Sequence, residues 1–266
     1  MALTDRQIAM LREMGVPAWP SLRAPAATPP AAPVAAPAAA ASAAPAAAPA
    51  ASAATASIAP PVPVTARAPA AALDWDGLRT AVAACQSCAL AGSRQHTVFG
   101  AGSTQAHWML VGEAPGEQED RQGEPFVGAA GQLLDAMLRA AGLTREADSG
   151  AEPARQVYIT NTLKCRPPRN RNPEPAEMHE CAPFLARQIE LLQPRLILAM
   201  GGFAVKGLLQ TDEAVGRLRG RVHRHQGIPV VVTYHPAYLL RNLPEKARAW
   251  EDLCLALQTM ESLGPR

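Results

Sequence analysis

The stretch His107-Trp-Met-Leu-Val-Gly-Glu-Ala-Pro-Gly116 decides the fold. Four consecutive large apolar residues with no polar alternation fit a strand at 107–111 that is buried on both faces. The Gly and Pro positions that follow mark a turn at its end. The same pattern recurs at 157–160, 196–200 and 230–234. Helical segments alternate with these runs at 75–84, where Asp74 can serve as the cap, and at 129–141, 176–192, 202–209 and 244–262. Strand and helix in this order predict an α/β fold: three layers, α/β/α, around a central, mainly parallel four-stranded sheet.

Ligands in open α/β sheets bind outside the carboxyl ends of the strands. The segments leaving those ends are Gly112-Glu-Ala-Pro-Gly116, Asn161-Thr-Leu-Lys-Cys165, Gly201-Gly202 and His235-Pro236. The chemically unusual residues therefore gather on one edge of the predicted sheet.

Upstream the character of the chain changes. Of its 266 residues 26 are Pro, and 48% are hydrophobic, but much of that fraction is the Ala of residues 24–72, where Arg67 is the only charge. A segment of Ala and Pro has no periodic face to bury, so ordering it is not repaid and it reads as a disordered linker. Residues 1–23 before it hold a short amphipathic stripe, Leu3, Ile8, Leu11 and Met14. Such a helix either docks back or binds a partner, and the run Gln7-Ile-Ala-Met-Leu11 resembles sliding-clamp peptides. Residues 73–266 form the folding unit, roughly 190 residues, enough for one α/β domain.

Dividing the chain also divides its charge. Removing four arginines and two acids before residue 73 from totals of 25 and 23 leaves 21 of each, so the folding unit is neutral. A global basic field is excluded as the basis of nucleic-acid binding. Two local clusters remain, Lys164, Arg166, Arg169 and Arg171, then Arg217, Arg219, Arg221 and Arg224, which read either as solvated loops or as phosphate contacts. No apolar stretch of about eighteen residues is free of proline, so no membrane span is expected. Asp5, Arg6, Arg12 and Glu13 interrupt any signal sequence, and the expected compartment is the cytoplasm.

Five cysteines without an export signal point to metal ligation or buried thiols. Cys85 and Cys88 form a C-x2-C pair, and Cys165 and Cys181 can complete a set of four. Four thiolates suit zinc and an iron–sulfur cluster equally. Cys254 lies among leucines and reads as a core thiol.

The turn after 107–111 can cradle an anion but is no P-loop, because no Gly-Lys-Ser/Thr follows. Its acids, Glu113, Glu117, Glu119, Asp120 and Glu124, are either a solvated loop or a source of water activation. His235 is structural or catalytic; His96, His107, His179, His223 and His225 read as surface or structural. Phe126, in the turn Gly123-Glu-Pro-Phe-Val-Gly128, is a loop plug or a platform for a base.

Taken together, Gly112-Glu-Ala-Pro-Gly-Glu-Gln-Glu-Asp120, the Gly123–Gly128 turn, Thr160-Asn-Thr-Leu-Lys-Cys-Arg-Pro-Pro168 and His235-Pro-Ala-Tyr-Leu-Leu-Arg241 resemble the iron–sulfur uracil-DNA glycosylases of family 4. The resemblance covers about 75–262, in the family's order and near its spacing. It implies a monomeric enzyme that flips deoxyuridine out of DNA and hydrolyses its N-glycosidic bond, in the cytosol and at the nucleoid of a bacterium. Cys85, Cys88, Cys165 and Cys181 match the ligands of one structural 4Fe-4S cluster. Gly112, Phe126, Asn161 and Glu119 match substrate-binding positions: Phe126 stacks on the base, Asn161 reads its edge, and Glu119 helps exclude a 5-methyl group. His235 matches the residue at uracil O2, and Glu113 is the candidate for positioning water, although other superfamily members carry an Asp one position later, where Ala114 stands here. Leu239, Leu240 and Arg241 match the wedge that enters the duplex. Family 5 enzymes lack a polar residue at the Glu113 position, and the covalently trapped variant has a basic insertion that is absent after Cys165. A non-catalytic cluster-bearing DNA module, tethering a replication or repair protein through residues 1–20, and a zinc-stabilised nucleotide-binding domain are the alternatives.

Overall fold

The computed structural model describes Glu13 and residues 70–264. The amphipathic segment at 1–23 and the linker at 24–72 lie outside the described residues, apart from Glu13 and the linker's last three positions. The sheet has six strands, β1 (Ala101–Gly102), β2 (Trp108–Gly112), β3 (Val157–Asn161), β4 (Leu196–Met200), β5 (Val222–His225) and β6 (Ile228–Thr233), in the order β1-β3-β2-β4-β6-β5. The four strands read from their apolar runs are the parallel centre, and β1 and β5 flank them antiparallel.

The expected four-stranded sheet is thus corrected to six, for identifiable reasons. β1 is only an Ala-Gly pair. β5 is Val-His-Arg-His with alternating exposure, an edge strand without a continuous apolar run. It is joined to β6 by Gln226 and Gly227, both at positive φ (50° and 86°), the backbone twist a two-residue hairpin requires.

The helices are α1 (Trp75–Ala83), α2 (Glu117–Gln122), α3 (Ala129–Ala141), α4 (Pro175–Leu192), α5 (Gly202–Leu209), α6 (Val215–Leu218), α7 (Pro236–Arg241) and α8 (Glu245–Ser262). Asp74 caps α1 by accepting from the Gly77 N–H at 2.8 Å. Pro175 starts α4 one position earlier than expected, where its missing N–H costs nothing.

Alternate residues of β2 serve opposite faces. Trp108 and Leu110 pack with Leu134 and Met137 of α3 and with Trp250 and Leu253 of α8. Met109 and Val111 pack with Leu185 and Ile189 of α4 and Val205 of α5. Both faces of the central strands are covered, which is why these strands show no polar alternation. A third cluster, with Leu78 and Val82 of α1, Leu163 and Phe184, carries Cys165 and Cys181 and brings the loop after α1 against them. The parallel registers Gly112↔Asn161 and Met200↔Thr233 end neighbouring strands at one level, so all four carboxyl ends open onto one cleft.

Candidate active site

The cleft measures about 730 Å³ and is lined by Glu113, Phe126, Asn161, Gly201, His235 and Arg241 among others. Gly112, the last residue of β2, sits between two of its walls. A Cβ there would meet Asn161 Oδ1 and come within 2.7 Å of Phe126 Cζ. Beyond the sheet, Thr162 N–H donates to Gly112 O at 3.0 Å and Leu163 N–H to Glu113 O at 3.1 Å, continuing the β2–β3 pairing.

Asn161 is buried, yet its Oδ1 has no hydrogen-bond partner. An orphan acceptor in that setting costs about 1–3 kcal/mol until something donates to it. Phe126 is buried at φ 54°, and its ring lies 5.4 Å from the His235 ring at 30°. The Phe126 carbonyl accepts from Arg145 Nη1 at 3.0 Å and is approached so closely by Gly131 that no side chain fits there. The turn is therefore fixed from outside the cleft.

His235 caps α7: its Nδ1 accepts from the Ala237 N–H at 3.2 Å. The ring proton then belongs on Nε2. Burial, reinforced by the Arg241 charge and opposed by Glu119, pushes its pKa down to about 4, so the imidazole is neutral near pH 7. Glu113 is half-buried, its carboxylate has no hydrogen-bonded or charged partner among the described residues, and burial alone raises its carboxyl above the ordinary value. Glu119 behaves differently. Its Oε1 accepts from the N–H groups of Val127 and Gly128, both at 3.0 Å, and its Oε2 from Gly116 at 3.1 Å. It lines the cleft and braces the Gly112–Gly116 turn to the Phe126 turn. Asp120 is likewise spent, accepting from Gln95 and His96 N–H groups through Oδ1.

One wedge assignment needs correction. Leu239 is 0% exposed and packed in the core beneath α7, so it cannot enter DNA. Leu240 and Arg241 are exposed, and so is Leu243, at 56%. Two adjacent leucines look alike in sequence; only the direction of the helical turn separates them.

The basic clusters also come apart. Lys164 is buried, donating to Thr160 Oγ1, Asn161 O and Gln188 Oε1. Arg171 forms a bidentate pair with Glu177, Arg166 pairs with Glu117, and Arg219 with Asp252 and Glu251. Arg169, Arg217, Arg221 and Arg224 remain exposed. Three of the histidines read as structural are bound to main-chain carbonyls: His96 to Asp120, His223 to Leu218 and His225 to Leu208.

Away from the cleft, Cys85, Cys88, Cys165 and Cys181 line one small cavity, with Arg94 and Lys164 in its wall. Arg94, unremarked in the sequence, donates to Cys165 Sγ at 2.9 Å and to the carbonyl of Cys85 at 2.8 Å, tying the two loops together. Burial pushes the Cys181 thiol up to about 11. Among the described residues no three His, Cys, Asp or Glu side chains converge on one ion position. Cys254 packs against the core with Leu255 and Leu257.

Residues 99–254 match the model of the uracil DNA glycosylase superfamily. A type-4 uracil-DNA glycosylase of Archaeoglobus fulgidus is 39% identical over 62% of this chain and 82% of its own length. Enzymes of the same name from Saccharolobus solfataricus, 39% identical over 67% of this chain and 82% of theirs, and from Thermotoga maritima, 40% identical over 62% and 82%, align likewise. The strand-end motifs, the sheet that gathers them and these alignments agree, and the chain belongs to the uracil DNA glycosylase superfamily, in its type-4 branch.

Proposed function

We propose that the cleft receives a deoxyuridine turned out of DNA and that the protein hydrolyses its N-glycosidic bond, releasing uracil and leaving an abasic site. The observation that carries this reading is the buried, unpartnered Asn161 Oδ1 beside the Phe126 ring. Uracil offers an N3–H donor next to the O4 acceptor, which an amide satisfies with one acceptor and one donor. Cytosine reverses both groups and, with the amide in the orientation seen here, meets it acceptor against acceptor and donor against donor, a mismatch that discriminates strongly. Phe126 supplies the stacking face.

In the reaction the C1′–N1 bond breaks and its electron pair leaves with uracil, spread over N1 and O2. Nε2–H of His235 donates to O2 and stabilises that anion. Glu113 faces the cationic sugar, holds the water whose oxygen bonds to C1′, and takes up the proton that the water loses. A uracil-containing oligonucleotide incubated with purified protein is expected to yield free uracil and alkali-labile sites. Tight binding without release would defeat the reading.

The pH dependence tests Glu113 separately. Its function requires the carboxylate, and burial raises its pKa. The acid limb of kcat/KM is therefore expected at a higher pH than an ordinary glutamate gives, and Glu113→Gln is expected to abolish the limb along with most of the rate. A limb that survives in Glu113→Gln belongs to another group.

The four cysteines fit an iron–sulfur cluster: all four donors are sulfur, and they line one cavity. Cys85, Cys88, Cys165 and Cys181 would hold it. Its contribution when bound is structural, clamping the loop after α1 to the segment that follows β3. Loaded protein is expected to be brown, and Cys181→Ser to lose the colour and to exchange the amides of residues 165–172 faster. Colourless, zinc-containing protein of full activity would refute this.

DNA is held by few charges. Arg169, on the segment beside the cleft residues Pro167 and Asn170, and Arg217, beside Val215 and Gly216 of the lining, are exposed and placed for phosphates.

A further inference from the structure

The turn α7 carries more than the exposed Leu240. Tyr238 and Arg241 are three residues apart, on the same side of the helix, and both line the cleft. Tyr238 is 37% exposed, one of five large hydrophobic side chains left open to solvent among the described residues. Its ring is nevertheless fixed, stacked on Tyr234 with centroids 5.0 Å apart at 23°. Tyr234 is itself flanked by charged side chains: Arg248 and Glu245 of α8, which pair with each other at 3.1 Å, and the Arg219 guanidinium, 5.9 Å from its ring centre. Arg219 is in turn anchored on buried Asp252.

This is a supported aromatic platform. An exposed tyrosine stacked on a second ring that is itself flanked by three charged side chains has less conformational freedom to lose when something binds. Flat, apolar ligands gain from such preorganisation. One helical step further, Arg241 offers a cation. Ring and guanidinium together match the two halves of a nucleotide, a base face and a phosphate. Three residues along a helix advance about 4.5 Å, the same order as the roughly 3.4 Å between stacked bases. His235, one turn before Tyr238, faces the pocket in which Phe126 and Asn161 meet.

We propose that Tyr238 is a second base-binding position, stacking on the nucleobase adjacent to the extruded nucleotide on the same strand while Arg241 takes the phosphate between them. The inference rests on the glycosylase reading for the identity of the first nucleotide. Its role is to hold the strand after the uracil leaves the helix, so that the bases on either side of the gap do not close again.

The test uses the full-length protein and single-stranded oligonucleotides with one uracil, in which the neighbouring nucleotide on either side is replaced in turn by a baseless tetrahydrofuran. With the wild type, losing the base on one side is expected to raise KM by about 5- to 30-fold, with a smaller effect on kcat. Tyr238→Ala is expected to show that increase on intact DNA and no further increase on the baseless substrate, whereas Tyr238→Phe behaves as the wild type. Additive losses in Tyr238→Ala, or a wild type indifferent to both neighbours, would overturn the proposal. A parallel arm measures binding of the same oligonucleotides carrying non-hydrolysable 2′-fluorodeoxyuridine, by fluorescence anisotropy. A protein that releases no uracil but shows the Tyr238-dependent preference in that arm fails as a glycosylase and still supports the stacking position.

Discussion

Replacing His235 with asparagine is expected to lower kcat for uracil release by about 10²- to 10³-fold, with the fold intact. The choice of asparagine follows from the double duty of the imidazole. Its Nδ1 caps α7 by accepting from Ala237, and its Nε2 carries the proton that faces the cleft. Asparagine is a good helix cap and keeps the first interaction, but it is too short to place a donor where Nε2 stood. His235→Ala removes both, so it should match the asparagine variant in rate and fall below it in melting temperature. Because burial and the nearby Arg241 charge hold the His235 pKa at about 4, the imidazole stays neutral across the working range. Stabilisation of the leaving uracil is then by hydrogen bond, not by proton transfer from an imidazolium. No change in rate is expected from His235 ionisation above about pH 5; linkage also makes the folded protein less stable as pH falls from about 6.5 toward about 4, where the unfolded histidine takes up a proton and the folded one does not. Single-turnover rates across pH, with melting curves for both variants, check this. A loss under tenfold in both would remove His235 from the chemistry.

The edge where this chemistry gathers was legible because burial on both faces leaves a simple trace. Apolar runs without alternation located the four parallel strands to within two residues, and the rule that sites lie at their carboxyl ends then selected Glu113, Asn161 and His235. The edge strands left no such trace, since half of β5 faces solvent and β1 is too short to carry a pattern. Charge was read least well. A list of basic residues says nothing of their partners, and Glu117, Glu177 and Asp252 take up three of the arginines, while Lys164 is drawn wholly inside. The same holds for the acids. Glu119 and Asp120 are spent on backbone N–H groups, and that expenditure singles out Glu113, whose carboxylate is left to the cleft. The aromatic stack of Tyr234 on Tyr238 was hidden for a related reason: i,i+4 spacing across the end of a strand has no meaning until the following turn is known to be helical.

Gly112→Ala is expected to reduce kcat/KM by about 100-fold or more while costing the fold little. The backbone at Gly112 is ordinary strand, paired with Asn161, so conformational freedom is not what the position needs. It needs empty space. The added methyl would run into Asn161 Oδ1 on one side and into the Phe126 ring, 2.7 Å from Cζ and 3.0 Å from Cε2, on the other. Neither wall can withdraw freely. Asn161 is buried, with its carbonyl held by Lys164, and the Phe126 backbone is clamped between Arg145 and Gly131. The ring is the softer of the two, and its rotation about the side-chain bonds would close the slot between Phe126 and Asn161. Overpacking of this kind costs about 1–3 kcal/mol, which lowers the melting temperature without unfolding the protein. The penalty therefore falls on function, because on the proposed reading a base lies flat on Phe126 while its edge reaches Asn161, and displacing one wall by about 1 Å forfeits both contacts. Kinetics on a uracil-containing oligonucleotide, with circular dichroism and the visible absorption of the purified variant as controls, provides the measurement. A Gly112→Ala protein that folds normally and keeps a third of its activity would show that the base is not held between these two side chains.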